Sequence, residues 1–439
     1  MKYRFMECIF STFAVPFYEI KTYRSIAMKP NRISNSYQQA PTEQETAMFL
    51  YLLRYSLWGT SCSTCINVPN LEEVRMEQIW QLADKQTVLG LVADVLQRLY
   101  GTELSVNQKA RIIKVAAQYS SEHQRLNDML KETFTFLQQK GFLPILLKGQ
   151  GNAQRYPAPL LRQCGDIDIY IGPEDYTKAC ASIGELVGQE EMKNATQSDK
   201  HLHVSFQHVF LELHRIAERM PNPCLNPRYQ RLSARWLKRG QTDTVSINGF
   251  PVAVPARQFN VLYVFYHIWH HFVLGGIGLR QLCDWCILLH EAAGKIDQEQ
   301  LLGDLKQLHL LKPWQIMGYI AVEKLGLLPD EMPFYCQRYQ KQAYRAWLLI
   351  LCGGNFGKFK SNRNISRESY WERKFKSFLE LHINAFRFFR ISPADALLTY
   401  AYRIFVGIKG VLADAFPTAT QFPPPASCIP SPPHGELPR

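Results

Sequence analysis

The chain has 439 residues, 46% of them hydrophobic, which suffices for two or three domains with a substantial core. It has no run of about 18 uncharged apolar residues, so a spanning helix is not expected. Its 11 cysteines, odd in number and scattered, argue against a disulfide framework and for a reducing cytoplasm. The formal charge of +12 is uneven. Between Arg338 and Lys409, 14 Lys or Arg stand against 4 Asp or Glu. That surplus is either a solvated helical surface or the contact for an anionic partner: nucleic acid, nucleotide phosphates or an anionic membrane surface.

Residues 1–42 lack a convincing period and read as a poorly ordered extension, with Met28 as an alternative start. Lys2 and Arg4 precede an apolar run, but Pro16, Glu19 and Lys21 break it and no small-residue cleavage site follows. Residues 43–140 form a helical region: a helix over Glu43–Trp58, two short helices within Leu71–Tyr100, and one long helix over Asn107–Lys140. At residue 141 the period changes. Phe142–Leu147 reads as a buried strand, Gln150–Arg155 as a short helix, and Ile167, Ile169 and Ile171 as one face of a period-two strand. A helix over Glu174–Val187 follows. Leu202–Phe206 and Val209–His214 form a strand pair, and Thr244–Val254 forms a hairpin turning at Asn248-Gly249. This α/β module, 141–254, is followed by a helical region, 255–412. Its helices are Phe259–Leu274, with Pro255 at the start, then Leu279–Glu291, Asp297–Leu308, Trp314–Leu325, Tyr339–Leu351, Tyr370–Phe389 and Pro393–Ile408. Residues 413–439 are proline-rich and read as disordered. The fold class is α+β: a small mixed sheet flanked by helices.

The chemistry concentrates in the module. Asp166 and Asp168 lie two apart, so their carboxylates share a face, opposite the isoleucines. Paired like charges are costly unless something positive compensates them, and a divalent cation does so. Glu212, between Leu211 and Leu213, is either the wet face of a surface strand or a third carboxylate, and it shares its face with His214. Upstream, Gly149 after a buried strand allows close phosphate approach, and Lys148 adds a charge. Arg162 either grips phosphate with two parallel bonds or pairs with the aspartates.

Two further sets are weaker. Cys62 with Cys65 and Cys283 with Cys286 have Cys-x-x-Cys spacing, but the second pair sits in an apolar helical pattern, where packing is the expected role. His267, His270 and His271 stand at helical spacings and with Asp284 could hold a metal, although internal hydrogen bonding is the expected outcome.

The order Ile145-Leu146-Leu147-Lys148-Gly149, Tyr156-Pro157, Arg162, Gly165-Asp166-Ile167-Asp168-Ile169 and Pro173-Glu174-Asp175 resembles a bacterial family of uncharacterised nucleotidyltransferases. That family sits within the DNA-polymerase-beta-like superfamily. Leu211-Glu212-Leu213-His214 resembles its Glu-Leu-His strand, and the segment carrying His267, Arg280 and Asp284 is also similar. The resemblance implies a nucleotidyltransferase-type module that binds a nucleoside triphosphate with Mg²⁺ or Mn²⁺. Asp166, Asp168 and Glu212 would be the catalytic and metal-holding residues. Lys148, Gly149, Arg162, Gly165 and His214 would contact the nucleotide. A nucleoside monophosphate would pass to a small molecule, protein or RNA, and pyrophosphate would leave. Two alternatives stay open: a toxin-like enzyme acting on tRNA, for which the basic 338–409 segment would suit, and an inactive nucleotide-binding module. One departure stands out. Gly149-Gln150 replaces the superfamily's Gly-Ser or Gly-Gly, with a longer gap to the aspartates, so Lys148 or Arg162 would take over the serine's contact.

Overall fold

The computed structural model describes residues 41–61, 70–238, 241–354, 382–383 and 385–415. The expectations for the N-terminal extension and the proline-rich tail lie almost wholly outside them. So do Cys62, Cys65 and much of the basic 338–409 segment.

Helix α1, Glu43–Trp58, opens with a capping box. Thr42 accepts from the Glu45 amide at 3.1 Å, and Glu45 accepts from the Thr42 amide at 2.7 Å. Glu45 is also gripped by Arg75, whose Nε lies 2.6 Å from Oε1, and this holds its carboxyl down at about 2. A 3₁₀ turn at Leu71–Glu73 precedes α2, Met76–Lys85, and α3, Leu89–Tyr100. The long α4, Val106–Gln139, is capped by Ser105 and Gln108.

The module follows. Strand β1 is only Ile145–Leu146; the Leu147 amide makes one more bond to the Asp168 carbonyl at 3.0 Å before the chain turns into the one-turn helix α5, Gln150–Ala153. Next come β2, Ile167–Tyr170; α6, Tyr176–Val187; α7, Gln189–Asn194; and β3, Thr196–Gln197. The expected strand pair is β4, His201–Phe206, with β5, Val209–His214. Helix α8, Asn226–Trp236, occupies a stretch where no element was expected. Pro223 and Pro227 obscure it in the sequence, but Pro227 falls in the first turn, where a missing amide costs nothing. Strands β6, Thr242–Ile247, and β7, Phe250–Pro255, form the expected Asn248-Gly249 hairpin. Pro255 therefore ends a strand, and α9 starts later, at Arg257–Leu274. The remaining helices are α10, Leu279–Ala292; α11, Gln298–Gln307; α12, Leu311–Leu325; α13, Gln340–Gly353; and α14, Pro393–Ala415.

The main sheet runs β1-β2-β5-β4-β3. Only β2 and β5 are parallel. Side-chain alternation divides the sheet between two cores. Leu146, Ile167, Ile169, Leu211 and Leu213 face a core closed by the C-terminal half of α4, by α6 and by the β6–β7 hairpin. Ile145, Leu147 and Tyr170 face the other way, into a helical core shared by α1–α3 and α9–α13. Helices from before and after the sheet thus share one core, centred on Phe265, Trp285 and Trp314, whose rings meet 4.8–5.2 Å apart. The face that carries Asp168 is therefore covered by helices, and β2 is buried on both sides.

Gly90 fixes one edge of that cover. A methyl group there would overlap the Leu161 carbonyl and meet Tyr119 at 3.0 Å. The turn it presses on, Pro159–Leu161, delivers Arg162. Gly90→Ala should destabilise the protein by about 1–3 kcal/mol, read as a lower midpoint in urea unfolding at unchanged slope.

Candidate active site

Parallel pairing of β2 with β5 puts Asp168 directly opposite Glu212, and antiparallel pairing of β5 with β4 puts His203 opposite Glu212. One row across three strands thus reads Asp168, Glu212, His203. His203 Nδ1 lies 3.3 Å from Glu212 Oε1. Asp166, two residues before Asp168, shares its face but precedes the strand and is exposed. Of the three acids expected to converge, Asp168 and Glu212 stand side by side and Asp166 shares their face, but the ligand atoms grouped tightly around Glu212 are those of His201 and His214.

His214 lies beneath them, two residues beyond Glu212 on the same face. Its Nε2 is 3.0 Å from Asp168 Oδ1 and 3.2 Å from Glu212 Oε2. Burial alone would lower its pKa, but the two carboxylates outweigh burial and raise it. At 1% exposure it is buried, touches both carboxylates and is not among the walls of the cavity described below.

Lys148, just after β1, brings Nζ within 3.1 Å of Asp168 Oδ1. Against the cost of burial, Lys148 and His214 together hold the Asp168 carboxyl well below the ordinary carboxylate range. Glu212 is also lowered, by the His214 bond working against burial. Asp166 moves the other way. Although the residue as a whole is exposed, enclosure of its carboxyl, then the like charges of Asp168 and Glu212, raise it. The cluster is short of positive charge at Asp166.

A second line of groups backs Lys148. Its Nζ lies 3.2 Å from His267 Nε2, His267 Nδ1 lies 3.3 Å from Glu218 Oε2, and Lys200 Nζ lies 2.9 Å from Glu218 Oε1. Burial and Lys148 push the His267 pKa down to about 4. The neutral ring then accepts from Lys148 and donates to Glu218. Sequence reading missed Lys200 and Glu218: both lie outside regular strand or helix, with no periodicity to mark them. His271 also comes near Glu218, so the α9 histidines gather around this carboxylate and not around Asp284.

Asp284 is held by Arg162. The guanidinium donates from Nε at 3.0 Å and from Nη2 in a second, shorter bond, and the Tyr156 hydroxyl donates at 2.8 Å. Arg162 Nη1 donates to the Gln163 carbonyl and to Cys164 Sγ, both at 3.1 Å. Each of its nitrogens thus has a protein acceptor. Arg162 pairs with an acid from α10, not with Asp166 or Asp168.

Between the sheet and α9–α10 lies a cavity of about 310 Å³, near the lower limit for small-ligand sites. Lys148, Gly149, Gly165, Asp166 and Asp168 line one part; Arg162, Arg280 and Asp284 line another. Gly149, at φ 67°, occupies the left-handed region that a side chain resists. Gly165 has open space where a Cβ would stand. Gln150 is fully buried and is not among the cavity walls, so it does not stand in for the missing serine; Asn152 does line the cavity. Glu212 is not among these walls either; its side chain is 18% exposed. Cys283 and Cys286 are buried in α10, where burial pushes their thiols up; they pack as small hydrophobes.

Breaking the buried Arg162–Asp284 pair from one side strands a charge. Arg162→Met should cost about 3–5 kcal/mol of stability, and adding Asp284→Leu should restore much of it. A double-mutant unfolding cycle measures this; additive losses would mean the pair is not coupled.

Comparison with known proteins places the chain. No curated protein matches it, and no solved structure does. Residues 72–326, more than half of the sequence, match the family model described as uncharacterised nucleotidyltransferase. The matched stretch contains every acid and base of the site described above, and the chain belongs to that family.

Proposed function

We propose that the protein is a metal-dependent nucleotidyltransferase of the DNA-polymerase-beta-like type, moving a nucleoside monophosphate from a triphosphate to an acceptor hydroxyl. The observation that carries this is the Asp168–Glu212 register, with Asp166 at the cavity edge. The donor set fits a hard divalent cation, Mg²⁺ or Mn²⁺: Asp168 and Glu212 side by side, Asp166 on the same face, and no thiolate among them, with Asp166 raised by enclosure of its carboxyl and then by its acidic neighbours. Such a cation, when bound, neutralises the phosphates and eases attack at the α-phosphorus.

The protein's own groups have distinct tasks. His214 fixes the rotamers of Asp168 and Glu212. Lys148 holds Asp168 from the other side and lines the cavity where the phosphates would lie. Gly149 leaves the backbone open to the phosphates. Glu212 orients the acceptor hydroxyl and takes its proton. The acceptor oxygen then bonds to the α-phosphorus, the bond to the β-phosphate oxygen breaks, and pyrophosphate leaves with that electron pair.

Incubation with labelled triphosphates, Mg²⁺ and small-molecule, protein or RNA acceptors tests the reading. Asp168→Asn keeps the shape of the side chain and should lower transfer at least about 10³-fold, with the melting curve retained; Asp168→Ala should match it. Undiminished transfer in both variants would remove Asp168 from the mechanism. No transfer from any triphosphate, with nucleotide still bound, would make the protein a binding module.

A further inference from the structure

Arg280 is a half-buried cation without an ion-pair partner among the described residues. It lies at the start of α10, one turn before Asp284, and lines the cavity. Asp284 is the natural partner by spacing, but its two oxygens are taken by Arg162 and Tyr156. Arg280 Nη1 donates to the Gln163 carbonyl at 2.6 Å, and its Nε is buried with no acceptor. No carboxylate of the described residues lies within ion-pair distance of it. Burial, then the like charge of Arg162, pushes its pKa down. Two guanidinium groups thus stand near one carboxylate.

A second donor on the same cavity is also unmatched. Asn152 is 3% exposed and lines the cavity, and its Nδ2 is buried without an acceptor. Buried donors are rarely left unpaired, since each costs free energy. Two such donors on one cavity, one of them cationic, call for an anion with several oxygens.

We propose that Arg280 and Asn152 bind the β- and γ-phosphates of the triphosphate, so that Arg280 grips the group that leaves as pyrophosphate. The proposal rests on the nucleotidyl-transfer reading and deepens it. The cavity would then be polar along its length: carboxylates and a cation hold the α-phosphate, and the arginine wall holds the leaving phosphates. It reassigns the phosphate contact expected of Arg162. Arg162 ties Asp284 down, which keeps Asp284 from neutralising Arg280.

The test is titration calorimetry of the full-length protein with inorganic pyrophosphate in the presence of Mg²⁺, for wild type, Arg280→Met and Arg280→Lys. Arg280→Met removes a half-buried charge that makes no ion pair, so loss of fold is not expected, and a melting curve checks it. Pyrophosphate affinity should fall roughly 10- to 100-fold in Arg280→Met and recover in part in Arg280→Lys. Wild-type protein that takes up no pyrophosphate, or Arg280→Met that binds it as tightly as wild type, overturns the proposal. Transfer lost in Arg280→Met with pyrophosphate affinity intact also overturns it, and assigns the arginine to an anionic acceptor. Failure here leaves the nucleotidyl-transfer reading standing if Asp168→Asn still abolishes transfer. Pyrophosphate binding without transfer from any triphosphate would do the reverse.

Discussion

The site depends on holding two acids side by side on adjacent parallel strands. Parallel neighbours stand about 5 Å apart, and two unit charges at that separation repel by about 3 kcal/mol at an effective dielectric near 20. The fold tolerates this because Lys148 and His214 reach Asp168 from two sides and His214 also reaches Glu212. The compensation is incomplete. It lowers Asp168 and Glu212 but leaves Asp166 raised. The protein stabilises the buried part of the cluster itself and leaves its outer part less compensated.

That arrangement requires both cores. The sheet core fixes the register, because Ile167, Ile169, Leu211 and Leu213 all point into it, and a one-residue slip of β2 would turn Asp168 into apolar packing. The helical core covers the opposite face, bringing His267 from α9 against Lys148 and Asp284 from α10 against Arg162. Sheet and helices are therefore joined by charge as well as by packing. The cavity lies at that join, where neither core fills the space.

The sequence is informative where periodicity and charge coincide. Asp166 and Asp168 alternate with isoleucines, and Glu212 interrupts leucines, so the face each acid takes was legible from the sequence. The resemblance to the nucleotidyltransferase family, carried by Lys148-Gly149, Arg162 and the aspartates, agrees with the family match over residues 72–326. What failed to show has physical reasons. Arg162 near two aspartates looked like a phosphate-binding residue or their partner, because Asp284, its actual partner, lies 122 positions away in sequence. His267 is hydrogen-bonded internally, as expected, but its partner Glu218 comes from an irregular stretch that no periodicity marks, and the weaker option of a metal cluster with Asp284 is not what forms. Pro255 looked like a helix start because a proline suits both a strand end and a first turn. Helix α8 was hidden by the prolines at its start.

The account stands on Asp168 and Glu212 acting together on one cation. Mn²⁺ uptake, followed by loss of the free-ion electron paramagnetic resonance signal, measures that directly. Wild-type protein should show a saturable site that Mg²⁺ competes for, weakened at least about tenfold by Glu212→Gln alone. Mn²⁺ binding left unchanged by Glu212→Gln, in a protein that melts as wild type does, would contradict the shared site.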